Sequence, residues 1–139
     1  MNVRPYEDSD EREVVSLWDE VFPDAPSWND PATDIARKAK VQRELFLVAE
    51  LDGRVAGTAM GGYDGHRAWV YYVVVSPGAR RRGVGTALMR EIERLLRETG
   101  AGKLNLQVRA GNDGAVAFYD SLGYAVEDRV SMGKRLTGP

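Results

Sequence analysis

The chain has 139 residues, 43% hydrophobic and 29% charged, the balance of a soluble globular domain rather than a disordered or fibrous chain. Nineteen basic and 21 acidic residues leave a formal charge of −2, so no nucleic-acid partner and no anionic-membrane partner is expected. With no cysteine and one histidine, His66, a disulfide framework, a thiol nucleophile and a Cys- or His-rich metal site are excluded, and no metal is expected.

Met1–Pro5 is not followed by the apolar core of a signal peptide, and no apolar run approaches the ~18 residues of a membrane span, so a cytoplasmic setting is expected. Asn2–Tyr6 reads as a short strand. Asp8-Ser9-Asp10-Glu11 resembles a capping box, opening a helix with Val14, Leu17, Trp18 and Val21 on one face. Pro23 and Pro26 break that helix. Trp28-Asn29-Asp30-Pro31 reads as a turn or helix start, and Ala32–Gln42 as a second helix. Leu45–Leu51 and Arg54–Tyr63 form a hairpin about Asp52-Gly53, and Asp64-Gly65 turns the chain into a third strand, Ala68–Ser76. From Gly85, Leu88, Ile92, Leu95 and Leu96 fall on one helical face, with Gly100 as the C-terminal cap. Lys103–Val108 alternates as a strand. Asn112 can cap a helix through Leu122 that Gly123 ends, and Tyr124–Val126 and Val130–Leu136 read as closing strands.

The order β-α-α-β-β-β-α-β-α-β-β places the chain in the α/β (α+β) class. Hairpins precede crossover helices, so a mixed sheet is predicted within one domain over residues 1–139.

The most informative stretch runs from Tyr71 through Val73-Val74-Val75, Ser76-Pro77 and Arg80-Arg81-Arg82 to Gly83-Val84-Gly85-Thr86. A buried strand, a basic glycine loop and a helix start bring free N–H groups and the positive end of a helix dipole together, which builds an anion site. Three cofactor classes use such loops. A nucleoside-triphosphate loop needs a lysine after its last glycine, where this chain has Thr86-Ala87-Leu88. A dinucleotide fingerprint needs a third small residue and an acid at the end of the next strand, but Lys103–Val108 leads into Arg109.

Arg80-Arg81-Arg82-Gly83-Val84-Gly85 matches the Arg/Gln-x-x-Gly-x-Gly/Ala loop of the GCN5-related N-acetyltransferases (GNAT). The preceding Val73-Val74-Val75-Ser76-Pro77 resembles that family's signature strand and turn. The run Asn112-x-x-Ala115-x-x-Phe118-Tyr119-x-x-x-Gly123-Tyr124 resembles its second signature, so the likeness spans essentially the whole chain. Trp28–Pro31, Gly61–Arg67 and Gly133–Leu136 are similar to the YpeA-like bacterial branch, which is close in layout to the ribosomal-protein N-terminal acetyltransferases.

The resemblance implies a mixed central sheet of about seven strands flanked by about four helices. It implies acetyl-CoA as cosubstrate and a primary amine as acceptor, on a small molecule or a peptide or protein N-terminus. The cofactor would lie where Ala68–Ser76 and Lys103–Val108 splay apart, beside a bulge near Val74. The main chain of Val73 and Val75 would meet the pantetheine amides, and the amides from Arg81 through Gly83, Val84 and Gly85 to Thr86 would hold the pyrophosphate. Asn112 would touch the pantetheine arm or hold its helix against it, and Tyr119 would protonate the departing thiolate. Family members are often dimers, so a homodimer is compatible with the resemblance.

Many family members carry a glutamate base on the signature strand, where this chain has Tyr71-Tyr72. Glu50, Asp64 and His66, or water held by them, are the remaining choices for the proton. Each feature also has a plainer reading. The arginines could be a solvated cluster, Tyr119 a core aromatic, Asn112 a simple N-cap, and His66 a surface turn residue. Asp30, Asp34 and Asp64 are ordinarily solvated, and Tyr63, Tyr71 and Tyr72 are ordinary strand aromatics. A non-catalytic acetyl-CoA-binding module with the same fold is the alternative function, and a nicotinamide oxidoreductase a distant third.

Overall fold

A computed structural model of the chain describes residues 1–137, which form two compact units. The first unit, Met1–Gln107, is built on a five-stranded sheet in the order β1-β2-β3-β4-β5. The strands are β1 (Asn2–Pro5), β2 (Phe46–Leu51), β3 (Arg54–Tyr63), β4 (Ala68–Val75) and β5 (Leu104–Asn105). All neighbours are antiparallel except β4 and β5, which run parallel through the crossover helix α3 (Val84–Glu98). The expected mixed sheet is present.

Sequence pattern explains the layers. Phe46, Leu47, Val48 and Ala49 are all fully buried, as a strand covered on both faces requires. α1 (Glu11–Val21) places Val14, Leu17 and Trp18 against one face of the sheet, beside α2 (Pro31–Lys38) and its Ile35. α3 covers the other face with Val84, Leu88, Met89, Ile92 and Leu96. Its close approach requires glycine in β3: a Cβ on Gly57 would stand 2.8 Å from Val84 Cγ1, and one on Gly61 2.6 Å from Ile92 Cδ1. Tyr6 stacks on Phe46 with ring centroids 4.7 Å apart, and Trp18 lies 6.0 Å from the same ring.

The Asp52-Gly53 hairpin forms as expected, with both residues left-handed at φ 55° and 78°, the geometry that favours such a pair. The helix onset differs: a short 3₁₀ turn covers Asp8–Asp10 and α1 follows it. The Asp10 carboxylate accepts from the Glu7 amide at 2.8 Å, so the returning acid acts one residue earlier than the predicted box. α2 stops at Lys38 rather than Gln42. Gln42 is left-handed at φ 49°, and its side-chain amide exchanges two 2.8 Å hydrogen bonds with the main chain of Tyr63.

The second unit begins at Val108 and contains α4 (Asp113–Ser121). Asn112 caps it by accepting from the Ala115 amide at 3.1 Å, and Gly123 follows it at φ 95°. The two closing strands expected at 124–126 and 130–136 do not form among the described residues, which accounts for five strands rather than about seven. Val126, Val130, Met132 and Leu136 are 84–90% exposed. Alternation supplies one apolar face, but a strand also needs a partner for its main chain.

Candidate functional site

β4 is where the sheet opens. Its parallel ladder with β5 holds only Ala68↔Leu104 and Trp69↔Asn105, with the Ala68 amide donating to the Lys103 carbonyl at 3.0 Å. Beyond Trp69 no strand among the described residues pairs with that edge. The predicted strand Lys103–Val108 is therefore two residues long. At the far end the Ser76 amide donates to the Ala56 carbonyl of β3, 2.8 Å away. Strand alternation then turns the N–H and C=O groups of Val75 and Val73 away from β3, toward the open edge.

The bulge sits at Tyr72–Val73, one step before its expected place. Val74 pairs with Thr58 and Tyr71 with Met60, so two residues of β4 oppose the single Ala59. Tyr72 is left-handed at φ 49°, a conformation costing a non-glycine residue roughly 1–3 kcal/mol. Three contacts hold it. Its ring stacks on Trp18 with centroids 3.8 Å apart and planes 7° apart. Its Oη donates to Asp34 Oδ2 at 2.5 Å, and its carbonyl accepts from Thr58 Oγ1 at 2.8 Å. Thr58 in turn accepts from Trp18 Nε1 at 3.0 Å. A charge-assisted hydrogen bond contributes about 1.5–3 kcal/mol and an aromatic pair about 0.5–1.5 kcal/mol, enough together to offset the strain. Burial and then the Asp34 hydrogen bond raise the Tyr72 phenol well above its ordinary pKa, so it remains a donor.

After Ser76 a short 3₁₀ turn over Pro77–Ala79 leads to the arginines. Arg81 and Gly83 are both left-handed, at φ 66° and 78°, and turn the chain into α3. The first bond of α3 runs from the Ala87 amide to the Gly83 carbonyl at 3.0 Å, and Gly83 supplies no side-chain cap. The amides of Gly83, Val84, Gly85 and Thr86 are thus the four that a helix start leaves without an intrahelical acceptor. Arg80, Arg81 and Arg82 are all exposed, and Arg82 pairs with Asp52 at 3.1 Å. Amides and dipole favour an anion at this point, and the cations reinforce them.

In the second unit Asn112 is occupied as the α4 cap. Tyr119 is half-buried, with Phe118 and Tyr124 set edge-on to its ring at 5.0 and 5.8 Å. Burial pushes its phenol pKa up, so it carries its proton at neutral pH.

The three groups named for the proton lie apart from the bulge. Glu50 is on β2, with β3 between it and β4, and its carboxylate meets Arg4 at 2.5 Å. Asp64 sits in the β3–β4 turn, accepting from the amides of His66 and Arg67 at 2.7 and 2.8 Å. Those backbone bonds, that of Arg67 first, hold its carboxyl below the ordinary range. His66 is exposed on the same turn, which precedes Ala68, and four residues of strand put that end about 13 Å from Tyr72. Conversely, Thr58 and Trp18 gained no site role from sequence, and Asp34 none at the strand bulge. The signals were the Tyr71-Tyr72 doublet interrupting an apolar strand and a single threonine in the apolar centre of β3.

An open strand edge leading into a basic, uncapped helix start suits a ligand with amides at one end and phosphates at the other. The chain belongs to the acetyltransferase (GNAT) family, whose model matches residues 11–124. It is an acyltransferase. It is 45% identical to an acetyltransferase of Yersinia enterocolitica over 136 residues, 98% of this chain and 96% of that one. Among solved structures it is similar to Ard1 of Thermoplasma volcanium, with TM-score 0.78 and 28% identity over 91% of this chain and 83% of that one. It shares the fold of AAC(6')-Iy, solved in complex with the bisubstrate analog CoA-S-monomethyl-acetylneamine, with TM-score 0.81 and 17% identity over 98% of each chain. Among the described residues no helix is long and apolar enough to cross a membrane, and no group of three His, Cys, Asp or Glu is placed to hold a metal.

Proposed function

We propose that this acyltransferase moves an acetyl group from acetyl-CoA directly to a primary amine, on a small molecule or a peptide N-terminus. The observation that carries the reading is the β4 edge, open from Val70 to Val75 and continuous in sequence with the uncapped start of α3. Acetyl-CoA, when bound, supplies the activated acetyl thioester. The main chain of Val73 and Val75 would orient the pantetheine amides, and the amides from Arg81 to Thr86 would hold the pyrophosphate. Arg80 and Arg81 add the charge that phosphates require. Tyr119, proton-bearing at neutral pH, would hold a proton at Oη for the departing thiolate, as the family resemblance implies.

The amine must be neutral to attack. A lysine-like amine with pKa about 10.4 is offset by roughly 4 kcal/mol near pH 7.4, whereas an α-amine at about 7.7–8.0 is offset by less than about 1 kcal/mol. Glu50 is paired with Arg4 and Asp64 is bonded within its own turn, so the acceptor that needs least help from a fixed base fits best. The test is CoA release with acetyl-CoA and a panel of peptide α-amines, lysine side chains, polyamines and aminoglycosides. Turnover with at least one class, and more of it with α-amines at pH 7.4, is the expected result. Acetyl-CoA binding without turnover on any amine would overturn the transfer reading.

A further inference from the structure

The Tyr72 contacts have a consequence for ligand binding that packing alone does not require. Asp34 lies on α2, 38 residues from Tyr72, yet its carboxylate is the acceptor for the Tyr72 hydroxyl. Its side chain is 19% exposed, and its other oxygen faces Arg37 at 3.8 Å, beyond hydrogen-bond range. Tyr72 is the left-handed residue of the bulge, and Val73 is the next residue along the open edge. Around the ring, Trp18 fixes one face and Phe22 lies edge-on at 6.3 Å. Ring, hydroxyl and carbonyl of Tyr72 are thus each held by a different residue, and the hydroxyl alone is held from α2.

We infer that Asp34 is a positioning residue for the cofactor: through the Tyr72 hydroxyl it holds the β4 bulge, and with it the main chain of Val73 and Val75, in the shape that receives the pantetheine arm. The inference rests on the acetyl-CoA reading above. It assigns the clamp to the pantetheine end of the ligand and leaves the phosphate end to Arg80, Arg81 and the start of α3. Two ligands therefore separate it from a general loss of structure. CoA carries the pantetheine arm, whereas adenosine 3′,5′-bisphosphate carries phosphates without it.

The experiment is calorimetric titration of both ligands into the full chain and into Asp34→Ala, Asp34→Asn and Tyr72→Phe, with thermal melts of each. In Asp34→Ala and Tyr72→Phe the Kd for CoA is expected to rise about tenfold, with the bisphosphate Kd unchanged within about twofold. Asp34→Asn, whose amide oxygen still accepts from the hydroxyl, should stay near the wild-type values. If Asp34→Ala does not melt cooperatively, Tyr72→Phe carries the test, because phenylalanine keeps the ring on Trp18. Unchanged CoA affinity in a folded Tyr72→Phe overturns the inference, as does a parallel loss for both ligands. A wild-type chain that binds no CoA overturns the cofactor reading itself, and the clamp's function with it.

Discussion

The indole Nε1 of Trp18 and the hydroxyl of Thr58 form a buried donor–acceptor pair 3.0 Å apart, and the same hydroxyl donates to the Tyr72 carbonyl at 2.8 Å. Thr58 has no exposed surface and Trp18 is 1% exposed, so neither lost bond could be replaced by bulk water. Thr58→Val keeps the shape and removes the hydroxyl. It strands one donor and one acceptor, and a loss of about 2–4 kcal/mol is expected in urea unfolding. A loss below about 0.5 kcal/mol would mean that the bulge finds other partners.

Gly57→Ala tests the seat of α3. The added Cβ would stand 2.8 Å from the Val74 carbonyl and 2.8 Å from Val84 Cγ1, and the first of these is backbone of β4. Overpacking of this kind costs about 1–3 kcal/mol. Because Val84 is the first residue of α3, weaker CoA binding should accompany the loss in melts.

The three loop arginines should not be equivalent. All three are exposed, but Arg82 is engaged with Asp52. Arg80→Glu and Arg81→Glu are expected to weaken CoA about tenfold or more at low salt, and Arg82→Glu less. Titration with dephospho-CoA then locates the contact. A smaller effect on that ligand places the arginines at the 3′-phosphate, and an equal effect places them at the pyrophosphate.

Tyr119→Phe removes a proton that burial keeps on the phenol at neutral pH. A fall of about 100-fold in kcat with CoA affinity unchanged is expected in steady-state assays paired with calorimetry. A wild-type kcat would assign Tyr119 to packing against Phe118 and Tyr124 alone.

Asp10 gives a pH signature for the fold. Its carboxylate takes two 2.8 Å bonds from Arg4 and one from the Glu7 amide, and Arg4 first among these lowers its pKa below the ordinary 3.8. A depressed carboxylate stabilises fully above that ordinary value, and the stabilisation fades as pH falls through the folded value. Asp10→Asn should therefore lose about 2 kcal/mol at pH 7 in urea titrations, with the gap to wild type narrowing below about pH 4.

What was legible in sequence was local. The Asp52-Gly53 hairpin, the Asn112 cap and the strand–loop–helix order from Ala68 to Glu98 follow from turn chemistry and period. What was not legible depends on partners far along the chain. Glu50 reads as a free acid until folding brings Arg4 to it across the β1–β2 pair. Asp34 reads as a solvated helix acid until Tyr72 arrives from β4. β5 pairs with β4 only at Ala68 and Trp69 and ends after Asn105, a limit no alternation can announce. The bulge was displaced for a similar reason: tyrosine takes the left-handed position only because Trp18, Thr58 and Asp34 hold it there.

Residue-resolved amide hydrogen exchange with and without acetyl-CoA tests most directly whether the open β4 edge and the start of α3 receive the cofactor, as proposed. Acetyl-CoA is expected to slow exchange at Val73, Val75 and the amides from Arg81 to Thr86, while the Asp64–Arg67 turn is unaffected. Saturating acetyl-CoA that leaves Val73, Val75 and the loop amides exchanging at their free rates would contradict the proposal.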